Sequence, residues 1–580
     1  MTNEERPPGP PRGRLASKMA LFGGRAWFAA ACAVALLCSI LLLSQTPRPC
    51  DDAYITFRHV RHLVERDMPV WNLGSRPVLG STTPGFMFTL ALFCKLTHVH
   101  DVPLAALWLN AFFHFGIVLL AFLLARKTLT GAADANGGPC EINGTFWING
   151  VALSAAVLVG FNSVHLYAAS QGFENAMLVF LVLDAIYCLV TGRYAYAVLL
   201  TSLAPLVRPE GIVLSVITWV FLILSRRFRW QWLIFYLIVP VLWIAFAESY
   251  YGSPIPHSII AKRHASAIFW PYSAEEYPLA ANVLHVFPRT IASWRAWGAK
   301  ILFNGATHEA WNAPGRRVFC WIATGLTPVV LALFIRRRSA ALMILAYAVL
   351  VLLFFSVLGS TATWYYPSFV VSAVLSLYLG GAMLVGVIVG RDRGGARVRA
   401  WALLCVALFI GFAALNRYTY HRGLIPESRP WLYARDCMKG DASGTEIERY
   451  EAYKDAAAFM NKRIRERPGA ALISEVGVFA YFFEGDVIDS GGLCSPQVLP
   501  FFPPDESDLV DSQGRGFTTS NHTVPARLVE ALKPKYIVNS PVYLGSLARP
   551  GGVLEQHYDH VNDLKPAWGQ PVAVYRRHDE

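Results

Sequence analysis

Charge is what this sequence has least of. Asp, Glu, Lys and Arg make up 16% of its 580 residues against 54% hydrophobic residues, a balance that excludes an ordinary soluble domain of this length. Acidic residues are the scarcer sign, 39 against 51 Lys and Arg, which leaves a net charge of +12. That surplus does not form a nucleic-acid-binding patch. It gathers at the ends of apolar runs, the positive-inside pattern of a membrane protein, so the bilayer is the expected partner and nucleic acid is not. Ten cysteines are too few for a disulfide framework. Cys32, Cys38, Cys188 and Cys405 fall inside apolar runs and read as small hydrophobes, whereas Cys50, Cys437 and Cys494 fall in segments where a disulfide is chemically open. No Gly-rich phosphate loop, internal repeat or low-complexity tract is found beyond the Pro/Gly-rich first dozen residues, which argues against a nucleotide cradle or a repeat array.

What is present is a series of apolar runs. A span needs roughly 20 apolar residues. Candidate spans are 26–44, 103–125, 147–166, 174–191, 195–208, 210–225, 231–249, 318–335, 339–357, 366–389 and 400–416. Residues 1–25, with Arg12, Arg14, Lys18 and Arg25, read as a cytoplasmic tail before an uncleaved first helix. With the N-terminus inside, Arg126-Lys127, Arg226-Arg227, Arg336-Arg337-Arg338 and the basic stretch 391–399 all become cytoplasmic. The expected divisions are a membrane domain over 26–416, with outside loops 45–102 and 250–316, and an outside soluble domain over 417–580. Residues 85–97 are apolar but would reach only about 20 Å as a helix, so they are read as lying in or dipping into the outer interface, with a true span as the alternative. In the last region the pattern changes: a helix is predicted from Glu451 to Arg467, strands at 470–473 and 536–538, and a helix at 524–532, the alternation of a small α/β domain.

The chemistry-bearing residues concentrate in the outside segments. Asp51 and Asp52 open a helical stretch whose Ala53, Phe57, Val60 and Val64 make an apolar stripe. One Asp is expected to cap that helix, and a carboxylate there can also deprotonate an acceptor hydroxyl. Arg58 can bind phosphate or lipid headgroups. Lys262 and Arg263, basic residues on the expected outer side, suit the neutralisation of a phosphate leaving group. Glu174, Arg208 and Glu210 are ionisable residues at helix ends, functional candidates by default, with Arg208 and Glu210 also a plausible structural ion pair. Trp364, Tyr365 and Tyr366 are placed to stack on a sugar or to sit in an interfacial aromatic belt. His98-Val99-His100-Asp101 has metal-like spacing without further ligands, so no metal or other cofactor is assigned.

Several of these stretches carry a resemblance. Asp51-Asp52-Ala53-Tyr54-Ile55-Thr56-Phe57-Arg58, then Trp71-Asn72-Leu73-Gly74, then Gly80-Ser81-Thr82-Thr83-Pro84 resemble the opening of the actinobacterial cell-wall arabinofuranosyltransferases and their bacterial relatives, within the GT-C superfamily of membrane glycosyltransferases. Gln171 to Asn175, Leu206 to Gly211, Tyr250 through Lys262, and Glu475-Val476-Gly477 through Asp489 to Leu493 are similar to further family stretches, in the same order. Two positions depart from the family pattern: His257 stands where the family has Asn, and the tight turn reads Gly-Ser-Thr rather than Gly-Tyr-Thr.

The resemblance implies a polytopic α-helical membrane protein of GT-C type, with about 11 transmembrane helices and a C-terminal α/β domain outside the cytoplasmic membrane. It implies a polyprenyl-phosphate sugar donor, arabinofuranose among the candidate sugars, and a glycan or protein acceptor at the outer face. The catalytic carboxylate would be Asp51 or Asp52, with Asp51 favoured. Lys262, Arg263, Arg208 and Arg58 would hold the donor phosphate, and Glu174, Glu210, His257, Trp364, Tyr365 and Tyr366 would line the substrate site. A transporter or flippase for a lipid-linked sugar is the alternative; it calls for inverted halves with matching broken helices, and no such symmetry is visible.

Overall fold

Inside a bilayer a backbone must satisfy its own N–H and C=O groups, so long apolar runs have little choice but to be helical. A computed structural model describes residues 14–44, 50–134, 142–261, 340–358, 367–389, 445–502, 504–508, 523–564 and 571–578. Its first part is helical throughout: α1 (Arg14–Leu43), α2 (Asp51–Arg66), α3 (Pro84–Thr97), α4 (Val102–Asp134), α5 (Ile142–Gly160), α6 (Ser163–Ser170), α7 (Asn175–Val190), α8 (Tyr194–Val207), α9 (Ile212–Leu224), α10 (Trp230–Tyr251), α11 (Ala340–Leu358) and α12 (Pro367–Val389). Among the described residues, the segments Gly24–Leu43, Val102–Thr130 and Trp230–Tyr251 are long and apolar enough to cross a membrane. The protein is therefore read as a membrane protein. α4 is the hub, packed against α1, α5 and α7. α10 is hardly covered and leaves Ile234, Val241, Leu242 and Ile244 exposed, as suits a helix facing lipid.

One segment differs from the sequence expectation in an instructive way. The span expected over 147–166 breaks after Gly160. A Cβ at Gly160 would stand 2.7 Å from Cys38 Sγ, so α1 and α5 meet closely there, and Asn162 Oδ1 then accepts the His165 N–H (3.0 Å) and starts α6 as a new helix. Residues 84–97 form a short helix, α3, with Pro84 in its first turn. It buries Phe86, Met87, Leu90, Ala91 and Cys94 and exposes Leu92 and Leu96. The expected spans 318–335 and 400–416 lie outside the described residues.

From Thr445 the pattern switches to α/β, with α13 (Thr445–Glu466), β1 (Ala471–Ile473), α14 (Gly477–Phe482), β2 (Val487–Asp489), α15 (Ala526–Leu532), β3 (Tyr536–Asn539), β4 (Tyr558–Leu564) and β5 (Val572–Arg577). The strands form one sheet in the order β2-β1-β3-β5-β4, in which β1 runs parallel to β2 and β3, while β5 is antiparallel to β3 and β4. Strand alternation sorts the side chains onto two faces. Ala471, Ile473, Tyr536, Val538 and Val574 join α13 and α14 in one core, whereas Leu472 and Ile537 join Leu528 and Val529 of α15 in the other. Helices thus cover both faces, as the parallel part of such a sheet requires. Among the described residues Cys50 and Cys494 are not joined to each other by a disulfide; Cys437 lies outside the described residues.

Candidate functional site

The site is organised by α2. Its N-cap is Cys50, so neither aspartate caps it; both stand in its first turn. With 3.6 residues per turn, Asp51, Tyr54, Arg58 and Arg61 share one stripe, while Asp52, Thr56 and His59 share another. The two neighbouring carboxylates are thereby sent to different partners.

The first stripe docks on the C-terminal α/β unit. Asp51 accepts hydrogen bonds from the N–H groups of Gly477 (2.9 Å) and Val478 (2.7 Å), so it caps α14 rather than its own helix. The Tyr54 ring meets Tyr481 edge-on, with centroids 5.2 Å apart. Arg58 is buried, and its five N–H donors reach five acceptors: Trp71 O from Nε (2.7 Å), Ala480 O and Phe483 O (3.1 Å) from Nη1, and Asn72 Oδ1 (3.2 Å) and Gly485 O (3.0 Å) from Nη2. Arg61 adds a bond to Tyr481 O (2.7 Å). The loop after α2 completes the joint. Asn72 donates to Val487 O (3.0 Å) and accepts from Val487 N–H (3.0 Å), acting as a one-residue partner for edge strand β2, and Trp71 Nε1 donates to the same carbonyl (3.2 Å).

The second stripe faces the turn at 78–83. Thr56 Oγ1 bonds Ser81 Oγ (2.8 Å), and Ser81 Oγ lies 3.2 Å from Thr83 Oγ1. His59 is held by Ile55 O (Nδ1, 2.9 Å) and by the turn, where Nε2 lies 3.1 Å from Val78 O. His257 N–H donates to Leu79 O (2.8 Å), bringing the segment 257–261 against the same turn. Asp52, half-exposed at the head of this stripe, has no hydrogen bond or ion pair from its carboxylate among the described residues. Asp51, by contrast, is pushed up from its ordinary value of 3.8 to about 7, first by burial and then by the nearby carboxylates of Glu475 and Asp52, against the two amide hydrogen bonds that favour its charged form.

The turn leads directly to a second polar cluster. A Cβ on Gly85 would lie 2.9 Å from Leu206 C and 3.0 Å from Val207 N, so only a residue without a side chain lets α3 meet the end of α8 this closely. One residue later Arg208, buried, pairs through Nε with Glu210 Oε1 (2.5 Å) and through Nη1 with Glu174 Oε1. Ser368 Oγ donates to Glu210 Oε1 (2.7 Å) and lies 3.0 Å from the Asn175 side-chain amide. Tyr347 is buried beside Arg208 and Glu210. Three helix ends, α7, α8 and α12, are tied together by one guanidinium and two carboxylates.

Several sequence assignments change as a result. All five Arg58 donors are engaged, three of them by carbonyls of residues more than 400 positions away. Arg208 is engaged by Glu174 and Glu210, so these three candidate residues stand together in one buried ion cluster. Asp51 is bonded to the Gly477 and Val478 amides, whereas the Asp52 carboxylate has no bond among the described residues. His257 does stand beside the turn that Asp52 faces. Lys262, Arg263, Trp364, Tyr365 and Tyr366 lie outside the described residues. No group of three or more metal-ligating side chains occurs among the described residues. Sequence reasoning missed Ser368 and Asn175 in the ion cluster and the docking roles of Asn72 and Gly477. Their only signals were adjacency to the Trp-Tyr-Tyr run, to Glu174, and to the quoted Trp-Asn and Glu-Val-Gly stretches.

The described residues thus form a helical membrane bundle whose first loop opens on paired aspartates and is joined to a C-terminal α/β unit. Comparison with solved structures finds likenesses in fold. The chain is similar to the archaeal oligosaccharyltransferase AglB from Archaeoglobus fulgidus, solved with an inhibitory peptide and a dolichol-phosphate, at 13% identity and a TM-score of 0.50, covering 95% of this chain and 74% of that one. It is also similar to ArnT from Cupriavidus metallidurans at 14% identity and a TM-score of 0.46, covering 95% of this chain and 98% of that one. No family model matches the chain, and no curated protein matches it in sequence.

Proposed function

We propose that this protein transfers a sugar from a polyprenyl-phosphate donor to an acceptor hydroxyl at the outer face of the cytoplasmic membrane, with Asp52 as the catalytic base. The observation that carries the proposal is the separation of the two aspartates: Asp51 is committed to Gly477 and Val478, while Asp52, on a helix fixed on both sides, has no bond among the described residues. A base has to be held in place yet free to accept a proton, and Asp52 meets both conditions. In the step envisaged, the acceptor oxygen bonds to the anomeric carbon and its proton passes to Asp52. The bond from that carbon to the phosphate oxygen breaks, and the electron pair leaves with the polyprenyl phosphate. Lys262, which directly follows the segment tied to Leu79 by His257, is the proposed phosphate ligand, with Arg263 beside it. The shared fold supports the reading, since the archaeal oligosaccharyltransferase was solved with a dolichol-phosphate. Arabinofuranose is the sugar suggested by the motif resemblance.

The test is transfer from radiolabelled polyprenyl-phosphate sugars to cell-envelope acceptors, with Asp51→Asn and Asp52→Asn compared at matched expression. Asp52→Asn is expected to lower transfer by about 10²–10⁴-fold with donor binding retained. Wild-type transfer by Asp52→Asn would remove it from the mechanism.

A further inference from the structure

α2 is joined to the turn at 78–83 by a histidine that the proposed transfer step leaves unused. His59 lies on the stripe headed by Asp52 and is fully buried, with its ring centroid 5.8 Å from that of Trp71. Its two ring nitrogens meet three backbone groups. Nδ1 lies 2.9 Å from Ile55 O, while Nε2 lies 3.1 Å from Val78 O and 3.3 Å from the Gly80 nitrogen. A neutral imidazole has one N–H and one acceptor, so it cannot serve all three. With its proton on Nδ1 the ring donates to Ile55 O and accepts from Gly80 N–H; with its proton on Nε2 it serves Val78 O alone. The first form makes two bonds against one and is the one expected. A second proton would serve both carbonyls and release Gly80. Burial opposes it and holds the ring below its ordinary value of 6.5; the Ile55 and Val78 carbonyls favour it, and the neighbouring Arg58 guanidinium adds to the opposition. The turn itself has no slack. A Cβ on Gly80 would overlap Cys494 Sγ and stand 3.3 Å from His59 Cε1. Between Val78 and Gly80 lies Leu79, whose carbonyl accepts the His257 N–H (2.8 Å). Thr56 holds the turn beyond Gly80, at Ser81, whereas His59 holds the stretch that carries Leu79.

We infer that His59 is a positioning residue for sugar transfer: from α2 it grips the backbone beside Leu79 and so fixes the segment 257–261 relative to Asp52. The inference rests on the transferase reading, in which Asp52 takes the acceptor proton and the residue after that segment holds the donor phosphate. The carbon being transferred has to sit between the acceptor oxygen and the phosphate. The separation of α2 from the segment 257–261 therefore sets the reacting geometry, and a misplacement of about 1 Å can cost about a hundredfold in rate. His59 acts only through Gly80 and Leu79. Its loss leaves the phosphate ligand and the base in the chain but lets their spacing drift, so turnover falls while donor affinity holds.

The test uses the full-length protein in lipid nanodiscs, with transfer kinetics and amide hydrogen exchange measured on the same samples. His59→Asn keeps a donor near Ile55 O but is too short to reach the turn, whereas His59→Gln is long enough. His62→Asn is the control, because His62 is buried on the same helix and bonds Val70 O (2.9 Å) instead of the turn. In His59→Asn the amides of 78–83 and 257–261 should exchange about fivefold faster, the worth of one hydrogen bond. Its kcat should fall about 10–100-fold with the donor KM within about twofold. His59→Gln should recover kcat to within about fivefold of wild type, and His62→Asn should leave it within about twofold. Wild-type kcat in His59→Asn, an equal loss in His62→Asn, a His59→Gln as impaired as His59→Asn, or a loss carried by the donor KM overturns the inference. So does unfolding of His59→Asn, seen as exchange throughout α13 and β3, where His62→Asn stays folded. The two measurements separate this failure from that of the transferase reading. Faster exchange at 257–261 without loss of kcat overturns the positioning role while transfer stands. Absence of transfer from the wild type overturns the transferase reading, and the positioning role with it.

Discussion

Replacing Arg58 tests the distinction between a phosphate ligand and a clamp. In the clamp, Arg58→Met strips donors from Trp71 O, Asn72 Oδ1, Ala480 O, Phe483 O and Gly485 O at once. Each hydrogen bond to a charged donor contributes about 1.5–3 kcal/mol, so the five are worth about 7–15 kcal/mol before offsets. Burying the guanidinium costs several kcal/mol, and water can reach Gly485 O once the side chain is gone. The expected net loss is about 3–5 kcal/mol, among the largest single-residue effects. Arg58→Lys should recover only part of this, since an ammonium has three donors and no planar fork. The assay is thermal and denaturant unfolding in detergent, with limited proteolysis of the C-terminal unit as a local readout and Arg61→Met as the control. Arg61 is partly exposed and should cost less than about 1 kcal/mol. If Arg58→Lys behaves as wild type in stability while its KM for the lipid donor rises, the clamp is wrong and the phosphate role stands.

Gly477→Ala forces a Cβ into the Asp51 carbonyl and should cost about 1–3 kcal/mol or more, read as increased protease sensitivity at the joint between α2 and α14. Arg208→Met leaves Glu174 and Glu210 buried without their cation; unfolding in detergent should show a loss of about 3–5 kcal/mol, and the double replacement with Glu174→Gln should lose less than the sum of the single effects. Asp51 binds its proton more tightly when folded, since its value rises from 3.8 to about 7. Its contribution to stability is therefore most favourable below about pH 4 and is lost as pH rises to about 7. Wild type minus Asp51→Asn, followed by thermal unfolding between pH 4 and 8, should show that downward slope, and a difference that rises with pH would refute it.

Much of the first loop was legible because its chemistry is local. Two aspartates at the head of an amphipathic stretch, the Trp-Asn pair and the Gly-Ser-Thr-Thr-Pro turn all stand out in sequence, and all meet around α2. What sequence could not separate was Asp51 from Asp52. One residue of offset rotates a side chain by about 100°, and whether that direction finds an amide depends on Gly477 and Val478, 426 and 427 positions downstream. The contacts of Arg58 were hidden for the same reason: four of its five acceptors are backbone carbonyls, which carry no sequence signal at all. The Arg208–Glu210 pairing was readable because its members are two residues apart, whereas Glu174 and Ser368 come from other helices. The break after Gly160 was hidden because Phe161 continues the apolar run and only the close approach of Cys38 distinguishes it.

Arg58 and Ala480 are 422 residues apart. At the usual pace of synthesis that interval lasts roughly 20–80 s, during which the first loop exists and its partner does not. For that time the guanidinium has only Trp71 and Asn72 as nearby acceptors, and the far side of its pocket is open. The loop that presents Asp52 is thus made well before the residues that close it. A ribosome that stalls before Gly485 leaves an arginine in search of its carbonyls, a state that a quality-control protease can distinguish from the finished protein.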